Sequence, residues 1–118
     1  MKRIEILLTM KKEREHYFRE WKKYVEKLKE HAKKILNDKD VQIVIFGSLV
    51  EKKYHPMLSD IDVLVISKNA PMKGLKRGEI LDKLYKIVGY FSPFQIHLVT
   101  PELYKNWYKK FIKKKVEI

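Results

Sequence analysis

The amino-acid sequence predicts an α/β (α+β) fold, a small mixed β-sheet with helices packed on it. Three observations lead there. An apolar run spaced by three and four residues occupies the first third of the chain. Two runs rich in β-branched residues follow, and helical and extended patterns then alternate to the end. At 118 residues there is enough chain for one core and too little for two. A single domain over 1–118 is expected, with an N-terminal helical segment at 1–40 and a sheet core with its C-terminal helix at 41–118.

From Lys11 to Leu36, the residues Phe18, Trp21, Val25, Leu28, Ala32, Ile35 and Leu36 fall on one helical stripe, which predicts a long amphipathic helix. Its opposite face carries Lys22, Lys23, Lys27, Lys29, Lys33 and Lys34 among Glu20, Glu26 and Glu30, with several pairs at helical neighbour spacing. Tyr17, Phe18, Trp21 and Tyr24 read as core in preference to a base-stacking platform. Asn37-Asp38-Lys39-Asp40 ends the helix. Val41 to Phe46 reads as a buried strand stopping at Gly47, and Asp60 to Ile66 as a central strand covered on both sides. Lys68 to Lys76 reads as a loop, and Ile80, Leu81, Leu84, Ile87 and Val88 as the stripe of a second helix ending before Gly89. Phe94 to Val99 is the third strand. Thr100-Pro101-Glu102 starts a last helix with a hydroxyl cap, a proline in the first turn and an early acid. That helix is expected to bury Leu103, Tyr104, Trp107, Tyr108 and Phe111, and to close on Lys113-Lys114-Lys115.

Without cysteine, a disulfide framework, a thiolate metal site and a cysteine nucleophile are excluded, so chemistry must use oxygen and nitrogen groups. The formal charge of +12 favours polyanionic partners, although lysine spread along the whole chain reads mainly as solvation. Nucleic acid is therefore not the favoured partner. The apolar run Ile4 to Leu8 is interrupted by Glu5 and lacks a cleavage site, and no stretch approaches the ~20 apolar residues of a membrane span. A cytoplasmic location without membrane association is expected.

Asp60 and Asp62, two apart on a predicted strand, project from one face about 7 Å apart along the chain. Bare, such a pair loses water and repels; a hard cation shared with phosphate oxygens relieves both costs. Magnesium fits, because it takes oxygen ligands and needs only one or two protein carboxylates. Gly47-Ser48, directly after the first strand, can offer backbone amides and a hydroxyl to phosphate, glycine allowing close approach. Either feature alone is weak.

Together, Ile45-Phe46-Gly47-Ser48, eleven intervening residues and Asp60-Ile61-Asp62-Val63-Leu64-Val65 resemble the signature of the DNA polymerase beta-like nucleotidyltransferase superfamily. The short chain is similar to its minimal nucleotidyltransferases from archaea and bacteria. The resemblance is closest over Val44 to Ile66. It implies a polymerase beta palm-like fold in which Gly47 and Ser48 hold a triphosphate and Asp60 and Asp62 bind Mg2+. It implies transfer of a nucleoside monophosphate, with ATP as donor, to an acceptor hydroxyl. Lys53, with Lys52, lies in the intervening loop and is a candidate for phosphate contact, against the plainer reading of a solvated loop. Minimal members are commonly paired with an all-helical HEPN toxin, which the resemblance implies as a partner and acceptor.

Two departures accompany the match. The family places a third carboxylate on a neighbouring strand, whereas Phe94-Gln95-Ile96-His97-Leu98 offers Gln95 or His97 at that position. His97 is a candidate general base; Gln95 offers only a carbonyl ligand. The loop also has Glu51-Lys52 where the family commonly has Arg-Gly. The alternative to an active enzyme is a nucleotide-binding module, weak or inactive in transfer, that docks on a partner.

Overall fold

The computed structural model describes residues 2–118. Helices α1 (Arg3–Arg19) and α2 (Trp21–Ile35) lead into strand β1 (Gln42–Phe46), and β2 (Ile61–Ile66), α3 (Gly74–Val88) and β3 (Phe94–Val99) follow. A short C-terminal helix runs through α4 (Pro101–Leu103), a π-helical turn (Tyr104–Tyr108) and α5 (Lys109–Phe111) before a last strand, β4 (Lys115–Glu117). The sheet order is β3-β2-β1-β4. β1 is antiparallel to both β2 and β4, and β2 is parallel to β3, so the sheet is mixed.

Strand alternation sends side chains to two faces. Ile43, Ile45, Ile61, Val63, Val65, Phe94, Ile96 and Leu98 join Val25, Leu28 and Ala32 of α2 and Ile80, Leu84 and Val88 of α3 in the main core. Full burial of residues such as Leu28 and Leu84 contributes about 1.5–3 kcal/mol each. On the other face Val44, Leu64, Ile66 and Val99 lie under Leu103, Tyr104, Tyr108 and Ile112. Asp62 and His97 belong to this second face by their register with Phe46 and Leu64.

The expected long first helix is present as two. It begins at Arg3, eight residues earlier than the apolar stripe indicated, and breaks at Glu20 (φ −105°, ψ 18°). The halves pack on different things. α2 lies on the sheet, whereas α1 meets the loop between β1 and β2 through Phe18, stacked on Tyr54 at 4.7 Å, and through Arg14. The end of α2 matches the polar cluster read there. Asn37 takes φ 48°, Asn37 N bonds Lys34 O and Asp38 N bonds Lys33 O, a Schellman closure with asparagine in the glycine position.

Three expectations at the periphery are corrected. α3 starts at Gly74, so the preceding loop is shorter than Lys68 to Lys76. Trp107 and Phe111 are exposed, at 60% and 67%, rather than buried. The π-helical turn places Leu103, Tyr104, Tyr108 and Ile112 on the sheet and leaves Trp107 and Phe111 as an outward row. Lys113 to Lys115 do not close the helix. It stops at Phe111, and the chain becomes β4 on the open edge of β1, where Ile118 N reaches Ile43 O and Lys115 Nζ reaches the Tyr104 hydroxyl. An edge of unpaired amides and carbonyls is thereby covered. The Thr100 cap stands as read, accepting from Leu103 N at 3.2 Å.

Candidate active site

β1 ends where its chain must turn sharply beside β2. Gly47 has φ 83°, and a Cβ there would overlap Asp62 Oδ2 and stand 3.3 Å from its Cγ. Only glycine accommodates both the left-handed backbone and the carboxylate lying against it. After Gly47 the chain makes one tight helical turn, with Glu51 N on Gly47 O at 3.1 Å and Lys53 N on Ser48 O at 2.9 Å. Lys52, at φ 59°, ends it. The amides of Ser48, Leu49 and Val50 donate to no acceptor among the described residues, which leaves three N–H groups free to meet an anion.

Asp62 is the second residue of β2, cross-strand from Phe46 and in register with Gln95 of β3. His97 Nε2 lies 3.3 Å from Asp62 Oδ1. Their side chains are 24% and 23% exposed, which leaves the pair open to a ligand. The imidazole is held between the rings of Phe46 (5.4 Å) and Tyr108 (5.8 Å), so β1 and the C-terminal helix fix its direction. Of the two residues offered for the third-carboxylate position, His97 touches Asp62 and Gln95 stands opposite it, exposed. Asp60 is the last residue before β2; its side chain is exposed and has no hydrogen-bonding or ionic partner among the described residues.

Gly47, Ser48, Asp62 and His97 thus converge at one end of the sheet, with Asp60 beside them. Lys53 is exposed at the end of the turn and has no side-chain partner among the described residues. Arg14, which sequence reasoning passed over, lies against the same loop and donates to the carbonyls of Pro56 and Ser59, each at 2.5 Å. Nothing in the helix marked it, since Arg3 and Arg19 share its residue type, and a contact over more than forty residues has no local signature.

Among the described residues no set of three or more His, Asp or Glu is arranged to hold a metal ion. The oxygen donors this end of the sheet could offer an ion are the carboxylates of Asp60 and Asp62, with Gln95 in register with Asp62 on β3. Hard oxygen donors in that small number fit magnesium, which completes its shell with phosphate oxygens and water. The Gly47 cradle keeps Asp62 Oδ2 uncovered by any side chain at residue 47.

The mixed four-stranded sheet with its helices, and the glycine turn against an open carboxylate at one end, match a known class of fold. The chain belongs to the nucleotidyltransferase domain family, whose model matches residues 22–117. A solved structure described as that of a candidate nucleotidyltransferase is 33% identical, with a TM-score of 0.64, covering 80% of this chain and 96% of that one. A second, a candidate nucleotidyltransferase from Sulfolobus solfataricus, is 18% identical with a TM-score of 0.55 over 90% of this chain and 82% of that one, a likeness of fold. No curated protein sequence matches the chain. Membership assigns the general chemistry, nucleotidyl transfer from a nucleoside triphosphate.

Proposed function

We propose that the chain transfers AMP from ATP, with Mg2+, to an acceptor hydroxyl on a partner protein. The observation that carries this reading is the Asp62 carboxylate seated against Gly47, beside a turn whose Ser48, Leu49 and Val50 amides have no acceptor among the described residues. In this arrangement Gly47 and Ser48 hold the triphosphate, and Asp60 and Asp62 hold the ion. Lys53, extending from the end of the turn, offers an ammonium to the outer phosphates. The magnesium would polarise the α-phosphate and neutralise charge on the departing pyrophosphate.

The acceptor oxygen attacks the α-phosphorus in line, the bond from that phosphorus to the bridging oxygen of the β-phosphate breaks, and pyrophosphate leaves. With Nε2 donating to Asp62 Oδ1, the His97 ring takes the proton of the attacking hydroxyl on Nδ1, its direction set by Phe46, Tyr108 and Asp62. A protein acceptor, of the helical HEPN type implied by the family resemblance, is supported by surface left uncovered. Ile4, Leu7 and Leu8 on α1 are more than half exposed, and so are Trp107 and Phe111.

A second reading keeps nucleotide binding and loses transfer. It is favoured by Gln95, a neutral side chain standing directly opposite Asp62 where an acid would complete the set. Labelled ATP with magnesium and the chain bound to its co-purifying partner separates the two. Label on the partner, lost in Asp62→Asn, is the expected result. Label that survives Asp62→Asn overturns the assignment, and stoichiometric binding without label favours the binding module.

A further inference from the structure

α1 (Arg3–Arg19) lies outside the region 22–117 matched by the family, yet it makes the closest polar contact to the loop that delivers Asp60. We infer that Arg14 is a positioning residue for the ion-binding carboxylate Asp60, a role that rests on the reading of Asp60 and Asp62 given above. Its guanidinium spans two carbonyls, Nε on Pro56 O and an Nη on Ser59 O, both at 2.5 Å. Ser59 is the residue covalently before Asp60, so fixing its carbonyl fixes the peptide plane from which Asp60 departs.

The grip acts on a unit that is already closed. Ser59 N and Leu58 N bond His55 O at 2.8 and 3.0 Å, His55 N bonds Ser59 Oγ at 2.8 Å, and Met57 N bonds His55 Nδ1 at 3.2 Å. Residues 55–59 therefore move together, and two points of attachment suffice to hold them. Tyr54, stacked on Phe18 of α1, holds the upstream side, and Ile61 N on Pro93 O at 2.8 Å holds the downstream side. Asp60 sits between these fixings with its own side chain free. Arginine suits the task because its planar fork donates two parallel bonds, which a lysine ammonium on a flexible stem does not reproduce. Arg14 thus makes α1, an element additional to the matched domain, part of the site's frame.

Binding of Mn2+ alone, a probe for the magnesium site, measured by electron paramagnetic resonance on the full chain, tests this. Asp60→Asn and Asp62→Asn are expected to abolish the bound signal. Arg14→Met should weaken Mn2+ binding about tenfold, the lower end for groups that orient a metal ligand, and Arg14→Lys should weaken it measurably but less, since one of two bonds is kept. Asp38→Ala, at the far end of the sheet, lowers stability without touching the loop and should leave Mn2+ binding unchanged, which separates positioning from general weakening. If Arg14→Met does not fold, Arg14→Lys carries the test. Wild-type Mn2+ affinity in the folded Arg14 variants, with binding lost in Asp60→Asn, overturns the role of Arg14 alone. Unaltered affinity in both aspartate variants overturns the ion site, and the role of Arg14 falls with it.

Discussion

The two ends of the sheet each hold an aspartate that is not fully exposed, and the protein treats them differently. At one end Asp38 is 4% exposed and its carboxylate is satisfied, accepting from Ser67 Oγ at 2.7 Å and from Asp40 N at 2.9 Å. Around it Asn69 ties the end of α2 to the loop after β2 through the carbonyls of Leu36 and Asn37. At the other end Asp62 has, among the described residues, a single side-chain hydrogen-bond partner, His97 at 3.3 Å, and beside it lie the Gly47 backbone and three amides with no acceptor among those residues. A buried polar group that serves the fold is paired by the fold. A partly buried acid with spare lone pairs, next to spare donors, is provisioned for something that arrives. Charge does not separate the two aspartates; their burial and, above all, the accounting of their hydrogen bonds do.

The sharpest way to break this comparison is to neutralise each acid in turn. Asp62→Asn should lower nucleotidyl transfer by about a thousandfold or more, the scale of losing a group that stabilises transition-state charge, while the unfolding free energy from denaturant titration stays within about 0.5 kcal/mol of wild type. His97→Ala should cost about a hundredfold in rate in the same transfer assay, the lower end for a general base. Gly47→Ala should lose transfer and also destabilise by about 1–3 kcal/mol, because the new Cβ meets Asp62 Oδ2 and the backbone is left-handed; urea titration checks it.

Asp38→Ala should do the reverse of Asp62→Asn, costing about 1–3 kcal/mol by leaving the Ser67 hydroxyl and Asp40 amide unpaired, with transfer unchanged at temperatures where it is folded. The smallest effect is on pH dependence. The Ser67 and Asp40 hydrogen bonds hold the Asp38 carboxyl below the usual aspartate range, its burial opposing them. Its contribution is therefore complete above the unfolded-state value of about 3.9 and lost as pH falls through the lower folded-state value. Acid titration of stability should show that loss in the wild type and a shallower one in Asp38→Ala.

What was legible in the sequence follows the range of the interactions. α2, the first three strands, the Asn37 stop and the Thr100 cap rest on spacing and capping within a few residues, and they stand where the pattern placed them. So does the meeting of Gly47 with Asp62, because strand, turn and strand are consecutive. β4 was not legible, since Lys115 to Glu117 are extended only because β1 offers an edge. The π-helical turn was not, since its register answers to the sheet face below Tyr104 and Tyr108. The Arg14 grip was hidden for the same reason. It depends on a loop more than forty residues away, and neither a helical stripe nor a charge count records that.

Backbone amide chemical shifts during titration with Mg2+ and ATP test the difference between the two ends most directly. The predicted result is large shifts at Ser48, Leu49 and Val50 and at Asp60 to Val63, with Asp38, Asp40, Ser67 and Asn69 unmoved. Shifts gathered around Asp38 and Ser67, with Ser48 to Val50 unchanged, would contradict the account.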